Sequence, residues 1–530
     1  MVTKLHNYGF FLFFIIVLSS SSLAFSATLY DNFLQCLTTK TNSPKNISSI
    51  LYTQNNTQFT SVLDAYIRNL RFTSATTRKP LLIFTPVNPT QVSAVVICSN
   101  SLGLHVKIRS GGHDYDGLSY ISDDPFVILD MINLRNIKVD PVAGTAYIEA
   151  GATLGELYYR ISEKSNVYGF PASVCPTVGV GGHVSGGGYG NMIRKYGLSV
   201  DHIIDAQVVD YQGRILNRKS MGEDLFWAIR GGGGASFAVV LSFTVNLVPV
   251  PGTVTVFNVL RYQSDNATDL VYKWQTVMKD IDHNLFIRLL LQPVTDPKQK
   301  GKKTARVTFI ALYLGNSDSL VSVLNVAFPE LGIRKQDCQE MSWVQSALFW
   351  ANFDNDTSPD VLLNRTYNAD YGKRKSDYVQ TPIPKQGLEL LWQKLVQIGK
   401  PGLVFNSYGG IMNEIAADAV PFPHRNGNLF KIQYSIGWKD AGQTADDTNI
   451  GLIRQLYAFM EPYVSQNPRG TYLNYRDVDI GINRNWTYKE GEVYGRKYFL
   501  GNFDRLVKVK GEVDPGNFFR NEQSIPLLNS

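Results

Sequence analysis

His105-Val106-Lys107-Ile108-Arg109-Ser110 alternates like a strand and runs directly into Gly111-Gly112-His113-Asp114-Tyr115. Upstream, Leu81-Leu82-Ile83-Phe84-Thr85-Pro86 is a short apolar run that ends in a turn signal. Between the two, Val92, Val95, Val96 and Cys98 recur with helical spacing, which predicts a helix over Thr90 to Leu102. A strand–helix–strand–loop order delivers the Gly-Gly-His loop to the end of a sheet, where α/β folds bind ligands. Glycine has no Cβ and accepts positive φ, so such a loop can approach a flat or anionic ligand closely.

A second stretch has the same character: Cys175-Pro176-Thr177-Val178-Gly179-Val180-Gly181-Gly182-His183, continuing through Val184-Ser185-Gly186-Gly187-Gly188-Tyr189-Gly190. Each stretch sets one reactive side chain, His113 or Cys175, beside backbone with few side chains. A solitary His is more often a hydrogen-bonding group than a reactive one, and a free Cys is more often buried and inert. The neighbouring glycines argue against both readings. Gly231 to Gly234 is also glycine-rich, but it opens no dinucleotide helix, so a bound dinucleotide would not sit in a Rossmann fold.

Outward from these loops, Phe126 to Leu129, Thr145 to Glu149 and Ala206 to Val209 read as strands, and Gly151 to Leu157 as a turn opening a helix. Pro249-Val250-Pro251-Gly252 is the clearest boundary. Beyond it, strands such as Val307 to Tyr313 alternate with helices such as Leu388 to Ile398, an α+β pattern with helices on one face of a sheet. Phe430 to Trp438 has strand period: Phe430, Ile432, Tyr434, Ile436 and Trp438 share one face, Lys431, Gln433 and Ser435 the other.

The chain has 530 residues, enough for two or three domains, and its 44% hydrophobic and 18% charged content is that of a globular protein. Residues 1–26 have the pattern of a signal peptide: Lys4, an apolar run from Phe10 to Leu18, and small residues at Ala24 and Ser26. That run is shorter than the ~20 residues a membrane span needs. Six Asn-x-Ser/Thr sequons, at Asn46, Asn55, Asn266, Asn355, Asn364 and Asn485, agree with a secreted glycoprotein of the apoplast or cell wall, or of a vacuole. The net charge of +6 is ordinary; Lys300, Lys302 and Lys303 form only a short basic turn, and nothing supports nucleic-acid binding or a metal site. Nothing demands a dimer, so a monomer is expected. Four cysteines in a secreted chain favour disulfides without fixing their connectivity.

The two glycine-flanked stretches, with Asp514-Pro515-Gly516-Asn517-Phe518-Phe519 near the end, resemble the plant berberine-bridge-enzyme-like oxidases from about Cys36 to Pro526. That resemblance implies an FAD-binding domain of the vanillyl-alcohol-oxidase/PCMH type over 27–251, a substrate domain over 252–471, and a segment over 472–530 that packs back on the first. It implies FAD held by two covalent bonds, from the ring nitrogen of His113 and the thiol of Cys175. Arg109, Ser110, Gly111, Gly112, Tyr115, Val178, Gly179, Gly182, Gly187 and Asn517 would complete the cofactor site, with His183 structural. It implies a Cys36–Cys98 disulfide and leaves Cys338 as a buried thiol.

For chemistry, the resemblance makes the polar face of Phe430 to Trp438 line the pocket. Lys431 is then expected to favour the phenolate of Tyr189, which takes a hydroxyl proton as the flavin accepts hydride, while Gln433 orients the alcohol. Tyr472 and Asn474 are further lining residues, and Arg288 would meet a carboxylate or phenolic oxygen. Relatives that process alkaloids carry a carboxylate at the position of Gln433, so glutamine favours alcohol or sugar oxidation. By the same resemblance, Val178, three residues after Cys175, is of the size that goes with rapid reaction of the reduced flavin with O2 in that family, which implies an oxidase. The expected substrate is a carbohydrate oligomer, then a monolignol-type alcohol; an oxidative or non-redox cyclase of specialised metabolism is the alternative.

Overall fold

The computed structural model describes residues 29–41, 47 and 49–530. The signal-peptide pattern and the Asn46 sequon lie outside them. The first sheet runs Leu51–Thr53, Leu82–Phe84, Phe126–Asp130, His105–Arg109, and its last three strands are parallel. Phe126–Asp130 is buried throughout, as a strand covered on both faces must be, and its sequence is correspondingly a continuous apolar run closed by Asp130. The predicted crossover helix forms at Pro89–Ser101, with Pro89 in its first turn and the Asn88 side chain accepting from the Gln91 amide at 3.0 Å. Cys98 on this helix is bonded to Cys36 on the helical segment 29–41, as expected, closing a loop of 62 residues.

A second, five-stranded antiparallel sheet follows the order Ile137–Asp140, Thr145–Glu149, Val239–Asn246, Ile203–Val209, Ile215–Leu216. Thr145–Glu149 leads through a turn into the helix Leu154–Ser162. Thr153 and Glu156 cap that helix reciprocally, each side chain taking the other's backbone N–H. Gly231 to Gly234 form a loop whose Gly231 and Gly233 amides donate to Ser185 O at 2.9 Å, so no dinucleotide helix starts there.

After Pro249 the chain builds a seven-stranded antiparallel sheet in the order Cys338–Met341, Val254–Tyr262, Lys303–Tyr313, Leu285–Thr295, Gly402–Ser407, Phe430–Trp438, Tyr371–Val379. The five apolar residues predicted on one face of Phe430–Trp438 are all buried, in a core that contains Trp274 and Trp392 from the helices Ala267–Val277 and Lys385–Ile398. The opposite face, with Lys431 and Gln433, turns toward the first two sheets. Arg194 ties the halves together: it is buried and donates to the carbonyls of Tyr408 at 2.9 Å, Asp282 at 3.0 Å and Ile281 at 2.9 Å. The C-terminal residues return to the first sheet, where Lys107 Nζ meets Glu522 Oε2 at 2.6 Å and His105 Nε2 meets Arg520 O at 2.7 Å.

Two expectations are corrected or refined. Cys338 is half-buried rather than buried, because it opens an edge strand; its thiol is pushed up to about 11, chiefly by burial, with Asp337 adding. The asparagines of the five described sequons are all exposed. Among the described residues no helix is long and apolar enough to cross a membrane, and no cluster of metal-ligating side chains occurs.

Candidate active site

A cavity of about 410 Å³ lies where the loops of the first two sheets meet the polar face of the seven-stranded sheet. Its wall brings together Ser110, Gly111, Gly112, His113 and Tyr115 from the first stretch, Cys175, Val178, Gly179, Gly182 and Tyr189 from the second, and Arg288, Gln433, Tyr472 and Asn474 from later in the chain.

The two glycine-rich loops are stitched to the protein as much as opened to a ligand. A Cβ on Gly112, at φ +68°, would meet Tyr66 O at 1.9 Å, and one on Gly111 would meet Gly179 N at 2.3 Å. These glycines are required by chain-to-chain packing. Gly182 is different: a Cβ there would meet nothing within 4 Å, and its position opens on the cavity. His113 and Cys175 stand on either side of Thr177, whose Oγ1 lies 2.9 Å from His113 Nε2 and 3.7 Å from Cys175 Sγ. Burial pushes the His113 imidazole down to about 3, with Arg68 adding, so the ring is neutral. His183, also on the wall, is held at about 3 mainly by burial, and its Nε2 accepts from Ser173 N at 3.3 Å.

At the other end, Tyr189 Oη and Tyr475 Oη are 2.7 Å apart, and Gln433 Nε2 donates to Tyr115 Oη at 2.7 Å. Lys431 does not reach the phenol oxygen of Tyr189. Its Nζ sits against the ring face, 3.1 Å from the centroid, and lies 3.9 Å from the centroid of Tyr472 and 4.4 Å from that of Tyr475. Fully buried, it has no hydrogen-bond partner among the described residues. Burial, then repulsion from Arg288, drives its pKa well below the usual lysine value. Three ring faces favour the ammonium, but no carboxylate offsets its desolvation. Burial lifts the phenols of Tyr115, Tyr472 and Tyr475 above their usual range, which leaves them as hydrogen-bond donors rather than bases. Tyr472 Oη accepts from Gly188 N and from Asn474 Nδ2, both at 3.0 Å, so this pair anchors the loop before Tyr189.

Four expected residues are off the wall. Lys431 lies behind the tyrosine rings. Arg109 is buried in an ion pair with Asp130 at 2.6 Å and donates to Val62 O and Leu63 O. Gly187, at φ +117°, shapes the turn before Tyr189. Asn517 sits in the turn after the last helix at φ 51°, and Arg520 and Asn521 reach the wall in its place. Tyr367, Arg374, Tyr475 and Arg476 on the wall, and Thr177 beside His113 and Cys175, complete the site, the first two and Thr177 without a local pattern that marks them. Tyr475 and Arg476 were within reach of sequence reasoning, since they continue the Tyr472-Leu473-Asn474 run.

Residues 80–218 match the family model "FAD binding domain" and residues 471–526 match "Berberine and berberine like". Berberine bridge enzyme-like 19 of Arabidopsis thaliana is 58% identical over 529 residues, covering 98% of this chain and 92% of the relative. The solved structure of the Arabidopsis thaliana berberine-bridge-enzyme-like protein 28 superposes with a TM-score of 0.88 at 43% identity, covering 94% of this chain and 100% of that one. The grass pollen allergen Phl p 4, described as having glucose dehydrogenase activity, matches with the same TM-score, identity and coverage. The site fits a flavin dinucleotide: Gly182 leaves open space on the wall, and His113 and Cys175 share one end of the cavity. The α+β architecture is that of the PCMH-type FAD domain with an antiparallel sheet beside it, and the chain belongs to the berberine bridge enzyme-like family of FAD-linked oxidoreductases.

Proposed function

We propose that the protein is a secreted oxidase that removes hydride from an alcohol or hemiacetal carbon, with carbohydrate oligomers its first substrate class. The carrying observation is that Tyr189 shares the cavity wall with His113 and Cys175, while the buried and unpartnered Lys431 lies behind its ring. FAD, when bound, supplies the hydride acceptor, and we assign its two covalent attachments to His113 and Cys175. Tyr189, its ring against Lys431, takes the substrate hydroxyl proton. Gln433 and Tyr115, already hydrogen-bonded to each other, present amide and phenol donors to the substrate oxygens. Arg288 and Arg374 reach the wall with no carboxylate ion-paired to them among the described residues, which suits hydroxyl-rich or acidic sugars.

Asp114, the carboxylate on the wall, is held by the amides of Asp116 at 3.1 Å and Leu118 at 3.0 Å and faces Arg476 at 3.7 Å. It is thus engaged elsewhere, which weighs against the cyclase reading with a carboxylate base. Val178 on the wall supports O2 as acceptor and H2O2 as product. In Phl p 4 the wild type is described as a glucose dehydrogenase and an isoleucine-to-valine variant as a glucose oxidase.

The test is the absorption spectrum of the secreted protein before and after denaturation, followed by substrate screening with H2O2 detection. Flavin that stays with the denatured chain, and peroxide released with sugar or alcohol substrates, support the reading. Freely released flavin removes the bicovalent assignment; tight flavin without turnover of any hydroxyl substrate removes the oxidase assignment.

A further inference from the structure

His113 and Cys175 each have one side-chain hydrogen-bond partner among the described residues, and it is the same one. Thr177 Oγ1 lies 2.9 Å from His113 Nε2 and 3.7 Å from Cys175 Sγ, and Thr177 itself is buried. The imidazole is fixed from another side by Tyr367, edge-on at 5.0 Å between ring centroids, and Arg68 stacks 5.2 Å from the Tyr367 centroid while donating to Gly111 O at 3.2 Å. The imidazole therefore has one nitrogen committed to Thr177, and Nδ1 remains for a bond to the cofactor.

Resting on the bicovalent reading above, we propose that Thr177 is the positioning residue for flavin attachment: it holds the His113 tautomer with Nδ1 free and takes the proton that each attachment releases. A neutral imidazole holds one proton, and the nitrogen that attacks must hold a lone pair. With Nε2–H donating to Thr177 Oγ1, Nδ1 carries the lone pair. The Thr177 hydroxyl, having accepted from Nε2–H, keeps its own proton free for Cys175 Sγ at 3.7 Å. When the Nδ1–carbon bond forms, the Nε2 proton leaves through Thr177 Oγ1; when the sulfur–carbon bond forms, the thiol proton leaves by the same oxygen. Each attachment replaces one hydrogen on the protein side and one on the cofactor carbon. The two protons and two electrons released each time pass to dioxygen, which becomes H2O2. Atoms and electrons balance with O2 as the oxidant.

The experiment compares secreted wild type, Thr177→Val and Thr177→Ser, with His113→Ala and Cys175→Ala as single-bond references. Intact mass and flavin-peptide mapping after denaturation count each bond; a thermal melt checks folding. In the valine variant the His113 bond is expected to form at least tenfold more slowly, leaving FAD bound but extractable, with the Cys175 bond also delayed. Serine restores both, because it keeps the hydroxyl. A valine variant that forms the His113 bond at the wild-type rate overturns the proposal, and so does a serine variant as slow as valine. If wild type itself releases all its FAD on denaturation, the bicovalent reading has failed and this proposal falls with it. If wild type retains FAD through His113 and Cys175 while valine behaves like wild type, only the role of Thr177 has failed.

Discussion

Opposite faces of the seven-stranded sheet bury lysines on neighbouring strands, and the two faces treat them in opposite ways. On the edge strand Tyr371–Val379, Lys373 lies 2.6 Å from Asp116 and 2.8 Å from Asp477, and Lys375 lies 2.5 Å from Asp477 and 2.8 Å from Asp479. One strand inward, on the other face, Lys431 has aromatic rings and no carboxylate. Burial works against the charge of Lys373, but Asp116, Asp477 and Asp479 outweigh it and hold its pKa above the usual value; burial and Arg288 push that of Lys431 well below. The paired lysines hold structure: Asp116 follows Tyr115 and Asp477 follows Tyr475 by two, so their ion pairs fix two loops that carry rings to the cavity. The unpaired lysine has ring faces where the paired ones have carboxylates.

The sharpest way to break this contrast is Tyr189→Phe. The ring stays against Lys431, so fold and flavin content should persist while kcat falls by roughly 10²–10⁴-fold, the range for a lost general base. Near-full turnover with intact flavin would refute the base assignment.

Lys373→Met tests the other face. It strands Asp116 and Asp477 in the interior, and breaking such a buried pair costs about 3–5 kcal/mol. Denaturant unfolding should show that loss, whereas Lys431→Met, which removes an unpaired charge, should not lower stability. Equal losses in both variants would erase the distinction.

The same pair should give opposite pH slopes. Lys431 has a depressed folded pKa, so between that value and the unfolded lysine value of about 10.4 the unfolded chain binds more protons. Its contribution to stability therefore rises with pH across that window, and the advantage of Lys431→Met should shrink toward alkaline pH. Lys373 has a raised folded pKa. Its contribution is complete below about 10.4 and is lost only as pH rises through the folded value. Melting temperatures of the three proteins from pH 7 to pH 10 should show the Lys431 slope and a Lys373 difference that stays flat.

The smallest effect belongs to an exposed pair. Lys335 and Asp318 meet at 2.8 Å but are 65% and 73% exposed, so Lys335→Met should leave the unfolding midpoint almost unchanged. A larger change would mean that burial is not what separates the internal pairs from this one.

Much of this molecule follows from local pattern. The crossover helix and the parallel strands around it, the two glycine-flanked loops and the two faces of Phe430–Trp438 are legible because side-chain periodicity and glycine content are properties of neighbouring residues. His113, Cys175, Tyr189 and Gln433 could be singled out on that basis, with the family resemblance supplying roles. What the tertiary structure alone decided are the pairings between distant residues. Lys373 and Asp116 are 257 residues apart, and Tyr189 and Tyr475 are 286 apart. Nothing in either local stretch states that Lys431 will lie against a ring face instead of at a phenol oxygen. Nor does it state that Arg109 will be taken by Asp130, or that Thr177 will stand between His113 and Cys175. A sequence specifies which side chains leave a given face of a strand; which atoms they meet depends on how separate sheets pack, and that packing also sets the desolvation that gives each buried charge its behaviour.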